Sequence, residues 1–207
     1  MSGTAPADSS PTALTTRAAL GRFRRDPVRG FEALLRRSES RLRLLLHFRL
    51  ADGSWPGVDP EDVLQDVWTE AVRSLARFEY RGKDSLHRWL AGLLANKLLH
   101  AKRGEARRPL PVTSVAPSGL QEALLEALSR VRTSASSVAR RNEREERVRR
   151  VLEELPERQR RAILLRVYEG LSGREAAEVE GVDESTMSVR LREAVKACAE
   201  KLGRGES

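Results

Sequence analysis

Near the C-terminus, Glu184, Ser185, Ser188, Arg190 and Arg192 recur at spacings that put them on the outward side of one helix. Arginine can bond guanine bidentately, and serine can donate to or accept from several base edges. A second group is Tyr80, Arg81 and Lys83, an aromatic beside cations in the polar stretch Glu79 to Asp84. That mixture suits an unstacked base; a tyrosine packed over a helix end is the alternative. A third group, Asp62, Gln65, Asp66 and Glu70, forms an acidic helix face. It is either a solvated helix start or a docking surface for a basic partner. These carboxylates alone do not make an acid–base catalyst. No nucleophile motif or glycine-rich phosphate loop accompanies them, so no enzymatic activity is expected. The single cysteine, Cys198, excludes an internal disulfide and a Cys-based zinc site. The three histidines are scattered, and no metal or cofactor is expected.

The elements that must carry these groups are helical. Phe31, Leu34, Leu35, Leu42, Leu45 and Leu46 mark one helix, ended by Gly53 to Gly57. Asp59 and Pro60 open a second helix as N-cap and first residue. Its apolar stripe runs from Val63 to Phe78 through Val67, Trp68 and Val72. Ser85 can cap a third helix, with Leu86, Trp89, Leu90 and Leu94 inward and Arg88, Asn96 and Arg103 on an exposed stripe. Residues 105–138 read as a Pro-rich linker holding a short helix over 120–131. Helices then follow over 139–155 and 157–169. Ser172 and Glu175 have capping-box spacing, and Gly181 separates a short helix from a last one capped by Asp183. This is helix-turn-helix grammar, against the alternative of a plain helical hairpin.

Composition agrees with an all-α chain. Of 207 residues, 33% are charged and 4% aromatic, and only five of the 38 basic residues are Lys. The net charge is +8, yet residues 143–207 carry 14 basic and 15 acidic side chains. The segment with the best DNA-reading motif is therefore not the one with the cationic excess, and it should bind DNA weakly without a tether. No apolar run approaches the ~20 residues that span a membrane, and the N-terminus lacks a hydrophobic signal core. A cytoplasmic protein without membrane insertion is expected. Residues 1–22 read as a disordered tail.

Taken together, the segments resemble the extracytoplasmic-function (ECF) class of bacterial RNA polymerase sigma factors. Residues 59–103 resemble region 2, with DPEDVLQD, an aromatic-basic loop, and SLHRWL followed by Asn96. Residues 148–202 resemble region 4, with LPERQR, EGLS and GVDESTMSVRL. The implied fold is all-α, with two helical domains (23–104 and 139–203) joined by a flexible linker. The resemblance implies that Asp62, Gln65, Asp66 and Glu70 dock on the β′ clamp helices of core RNA polymerase. It gives Tyr80, Arg81, Lys83, Ser85, Arg88, Asn96 and Arg103 to recognition and melting of the promoter −10 element. Glu184, Ser185, Ser188, Arg190 and Arg192 would read the −35 element, with the β-flap as the second polymerase contact. An anti-sigma protein is a further partner the class admits. Ala176 and Glu180 depart from the pattern, standing where larger apolar residues are usual, and Ser188 stands where a basic residue is common. The rival function is a stand-alone helix-turn-helix regulator that binds duplex DNA as a dimer.

Overall fold

The computed structural model describes residues 16–51, 55–82, 84–102, 118–133 and 135–203. Among them every regular element is helical: α1 (Thr16–Arg25), α2 (Pro27–Leu50), α3 (Pro60–Ser74), α4 (Ser85–Lys102), α5 (Ser118–Thr133), α6 (Ala135–Glu153), α7 (Glu157–Ile163), α8 (Gly173–Glu180) and α9 (Glu184–Gly203). One turn of 3₁₀ helix, Leu75–Arg77, follows α3, and a π-helical turn, Leu164–Tyr168, extends α7.

Local chemistry explains where several helices start. The Asp59 carboxylate accepts the Glu61 N–H at 2.7 Å, and Pro60 follows in the first turn, where its missing N–H costs nothing. Asp26 does the same for α2, accepting from the Arg29 N–H at 3.1 Å. Ser172 and Glu175 form the full reciprocal capping box of α8, and Gly181 closes that helix with φ 63°.

The N-terminal domain is one core shared by α2, α3, α4 and α5. Val67, Trp68, Leu35, Leu45 and Leu90 are buried in it, and Phe31 meets the Trp68 ring edge-on at 6.2 Å. Trp89 is half-buried and packs on Phe78 at 5.1 Å. The C-terminal domain has two smaller clusters. Ala162, Leu165, Ala176, Ala177 and Met187 join α7, its π turn, α8 and α9. Leu152, Leu155, Ile163 and Ala194 tie α6 and α7 to α9.

Two expected boundaries need correction. The expected tail ends too late, because helix α1 begins at Thr16; Ala19 is fully buried, and Leu20 and Phe23 pack on the core. Three core-facing apolar residues in so short a helix give too little periodicity to stand out in sequence, but they suffice against a preformed surface. The expected linker 105–138 is also too long. Residues 103–117 lie outside the described set, but α5 follows them and buries Leu124, Ala127 and Leu128 in the first domain's core. Those positions have i, i+3, i+4 spacing, so α5 docks as an amphipathic helix of that domain.

Candidate nucleic-acid interface

The sequence-predicted residues fall into three places. At the junction of α3 and α4, Ser85 closes the loop, donating its hydroxyl to the Gly82 carbonyl at 2.7 Å and accepting the Arg81 N–H at 3.3 Å. Tyr80 stands at the surface, 39% exposed, and Arg81 is exposed beside it, paired with Glu79 at 2.8 Å. Asn96 is exposed on α4. Lys83 and Arg103 lie outside the described residues.

Arg88 is engaged. Its guanidinium donates to Glu175 of α8 at 3.0 Å and to the Gly170 carbonyl at 2.9 Å. A cavity of about 770 Å³ separates the two domains here, walled by Phe78, Arg81, Ser85 and Trp89 on one side and by Arg166, Gly170 and Ser172 on the other. Gly170 has φ 76°, and a Cβ on it would sit 3.1 Å from the Asp84 carbonyl oxygen. Only glycine takes that conformation without strain, and the backbones approach closely because of it. Ser172 first, and Arg88 after it, hold the Glu175 carboxyl below the usual range.

Further contacts run along the same junction. Arg41 donates to the Val167 carbonyl, Arg49 pairs with Glu169, and His47 meets Glu153 at 3.0 Å. The Arg160 guanidinium lies over the Phe48 ring at 5.9 Å. Tyr168 packs against the cores of both domains, and its burial pushes the hydroxyl up to about 12. None of these pairings is visible in sequence, since their partners lie about a hundred residues apart or more; Glu175 is legible only as a capping residue.

On α9, Glu184, Ser185, Ser188 and Arg192 are exposed, on the outward side. Asp183 caps the helix, accepting the Thr186 N–H at 2.8 Å and the Thr186 hydroxyl at 2.7 Å. It also takes the Ser185 hydroxyl, and these bonds, Ser185's first, hold its carboxyl well below the ordinary range. The Ser185 hydroxyl proton is therefore already used. Arg190 differs from its expected neighbours. Its side chain is only 17% exposed and turns toward Glu180 at 3.7 Å. Glu180, 8% exposed, also accepts from Arg161 of α7 at 2.6 Å. The departure at position 180 is thus a carboxylate joining α7, α8 and α9.

On α3, Asp62 and Gln65 are exposed and Asp66 is half-buried on the same side. Glu70 does not share that strip. It is 8% exposed, with its carboxylate 3.7 Å from Lys97 of α4.

Residues 34–108 match the Sigma-70 region 2 family, and residues 145–198 match Sigma-70, region 4. The two matches occur in that order and together cover more than half of the chain. This protein belongs to the ECF sigma factors. It is 30% identical over 152 residues to the ECF RNA polymerase sigma factor SigD of Mycobacterium tuberculosis and to its counterpart in Mycobacterium bovis. The aligned part is 70% of this chain and 64% of those relatives, so it spans a little under two thirds of their length. Within the sigma factor, α3 and α4 with their loop lie in region 2, and α7, α8 and most of α9 lie in region 4. Among the described residues no helix is long and apolar enough to cross a membrane, and no cluster of metal-ligating side chains occurs.

Proposed function

We propose that this sigma factor binds core RNA polymerase and directs initiation by recognising −35 and −10 promoter elements. The observation that carries this reading is the joint presence, in order, of regions 2 and 4, each with an exposed strip of the required chemistry. Asp62, Gln65 and Asp66 would dock on the β′ clamp helices; Glu70 would support that helix through Lys97. Tyr80, Arg81, Lys83, Ser85, Arg88, Asn96 and Arg103 would hold the opened −10 strand. An extruded base gains a pocket and a stacking partner, which offsets an unstacking cost of a few kcal/mol. Glu184, Ser185, Ser188 and Arg192 would face the −35 major groove, with Arg190 bracing the helix from behind.

Docking through region 2 and the β-flap would make each weak DNA contact effectively intramolecular. That resolves the charge problem of region 4, whose segment is net negative. A polymerase partner also implies the cytoplasm, and an anti-sigma protein would compete for the same docking surfaces.

The test is in-vitro transcription from a random promoter library with core polymerase, with and without the protein. Start sites that depend on it, sharing enriched −35 and −10 sequences, are expected. No dependent start site, together with a shift of palindromic duplex DNA by the chain alone, would instead establish the stand-alone regulator.

A further inference from the structure

The match to region 2 begins at residue 34, so α1 and the first turns of α2 are outside it. This added part is strongly cationic. Residues 16–37 hold seven arginines against two acids, Asp26 and Glu32. Arg17, Arg22, Arg24, Arg25, Arg29 and Arg36 all reach the surface. Asp26 is committed to the N-cap of α2 and to Arg29 at 3.5 Å, so it does little to neutralise α1.

The cations are held in place, not strung along a loose tail. Ala19, Leu20 and Phe23 form the inward face of α1. With those turned in, helical geometry puts Arg25 near the middle of the outward face, Arg17 and Arg24 on one flank and Arg22 on the other. The helix lies very close to α2. A Cβ built on Gly30 would come 2.3 Å from both the N and the Cα of Phe23, so no larger residue fits there without moving α1. A cationic face that is already ordered loses little further entropy when it meets its partner.

We propose that α1 and the start of α2 form a binding surface for the phosphate backbone of duplex DNA. Charge argues for this occupant. Residues 16–37 carry five more basic than acidic side chains, whereas region 4 and its flanks are net negative, so this segment holds a concentrated cationic surplus from which counterion release can come. Guanidinium groups suit phosphate oxygens bidentately. The binding would be independent of sequence, adding affinity without changing which promoter is chosen. It deepens the promoter-binding reading but does not need a known promoter for its test.

The experiment uses the full chain alone and a mixed-sequence duplex several helical turns long, with binding followed by fluorescence anisotropy across a salt series. Replacing Arg17, Arg24 and Arg25 together by Ala is expected to lower the slope of log affinity against log salt by roughly 0.9 for each phosphate no longer neutralised. The same three positions changed to Lys should keep the slope. A Gly30→Val variant keeps every arginine but displaces α1, and should bind more weakly than the parent. An unchanged slope in the alanine variant would overturn the proposal, as would an equal loss in the lysine variant. Undiminished DNA binding with weakened binding to core polymerase would also overturn it, assigning the surface to an acidic protein face. The promoter-library result is read separately, so failure of one reading does not hide failure of the other.

Discussion

His87 lies in the first turn of α4, 5% exposed, beside the loop between α3 and α4. Burial, with the nearby charges of Arg41 and Arg37 adding to it, lowers its pKa from 6.5 to about 3. The ring is neutral in the folded protein and must charge on acid unfolding. The depressed pKa means the unfolded chain binds more protons between pH 6.5 and 3, so stability is full above 6.5 and falls with pH through that window. The expected loss between pH 7 and pH 5 is about 2 kcal/mol from this group. His87→Leu should flatten that part of a urea-midpoint titration; an identical acid slope in the variant would show that other groups cause it. At the same scale, Arg88 shows what a sequence withholds. Its place on an exposed stripe is legible from spacing, but its bonds to Glu175 and Gly170 are not, because pairings across 80 residues or more leave no local period. The inward turn of Arg190 is hidden similarly, since its cause is the unusual Glu180 on another helix.

At the scale of elements, the sequence is clearest where capping chemistry and a long apolar stripe coincide. Asp59-Pro60 before α3 and Ser172 with Glu175 and Gly181 around α8 are such places, and the helices lie where those residues put them. It is least clear at α1 and α5. Each buries only a few apolar residues, and α5 follows a stretch whose prolines read as linker. The core of the first domain decides their docking, and single-residue propensity does not report that. Leu124, 1% exposed, gives a direct check. Leu124→Ala should destabilise region 2 by about 2–5 kcal/mol if α5 belongs to its core. An unchanged unfolding midpoint in that variant would return α5 to the linker.

Across the whole molecule, the two domains share a junction that uses Arg88, a residue proposed above for DNA binding. Under the proposed −10 role, Arg88 cannot hold both Glu175 and a promoter strand, and the loop cavity is walled on one side by region 4. Glu175→Gln keeps the side chain required by the capping box but removes its charge. The pair is half exposed, with side chains 49% and 42% accessible, so the effect should be modest. The free variant should bind a single-stranded −10 oligonucleotide roughly two- to fivefold more tightly, with a longer mean distance between dyes on the two domains. Equal affinity and equal distance would mean that the pairing does not compete with DNA.

The carboxylate of Glu180 has a consequence for how such a protein changes over time. It touches Arg161 and Arg190 from within the fold, so the three helices of region 4 are joined through one charged knot. Losing Arg190 alone would leave this carboxylate, 8% exposed, with Arg161 still at 2.6 Å but less fully compensated. A lineage that exchanges Arg190 therefore keeps region 4 firmest by exchanging Glu180 as well. The outward residues Ser188 and Arg192 stand exposed on the far side of α9, away from that knot. Under the proposed −35 reading, new promoter preferences can be tried through them one substitution at a time.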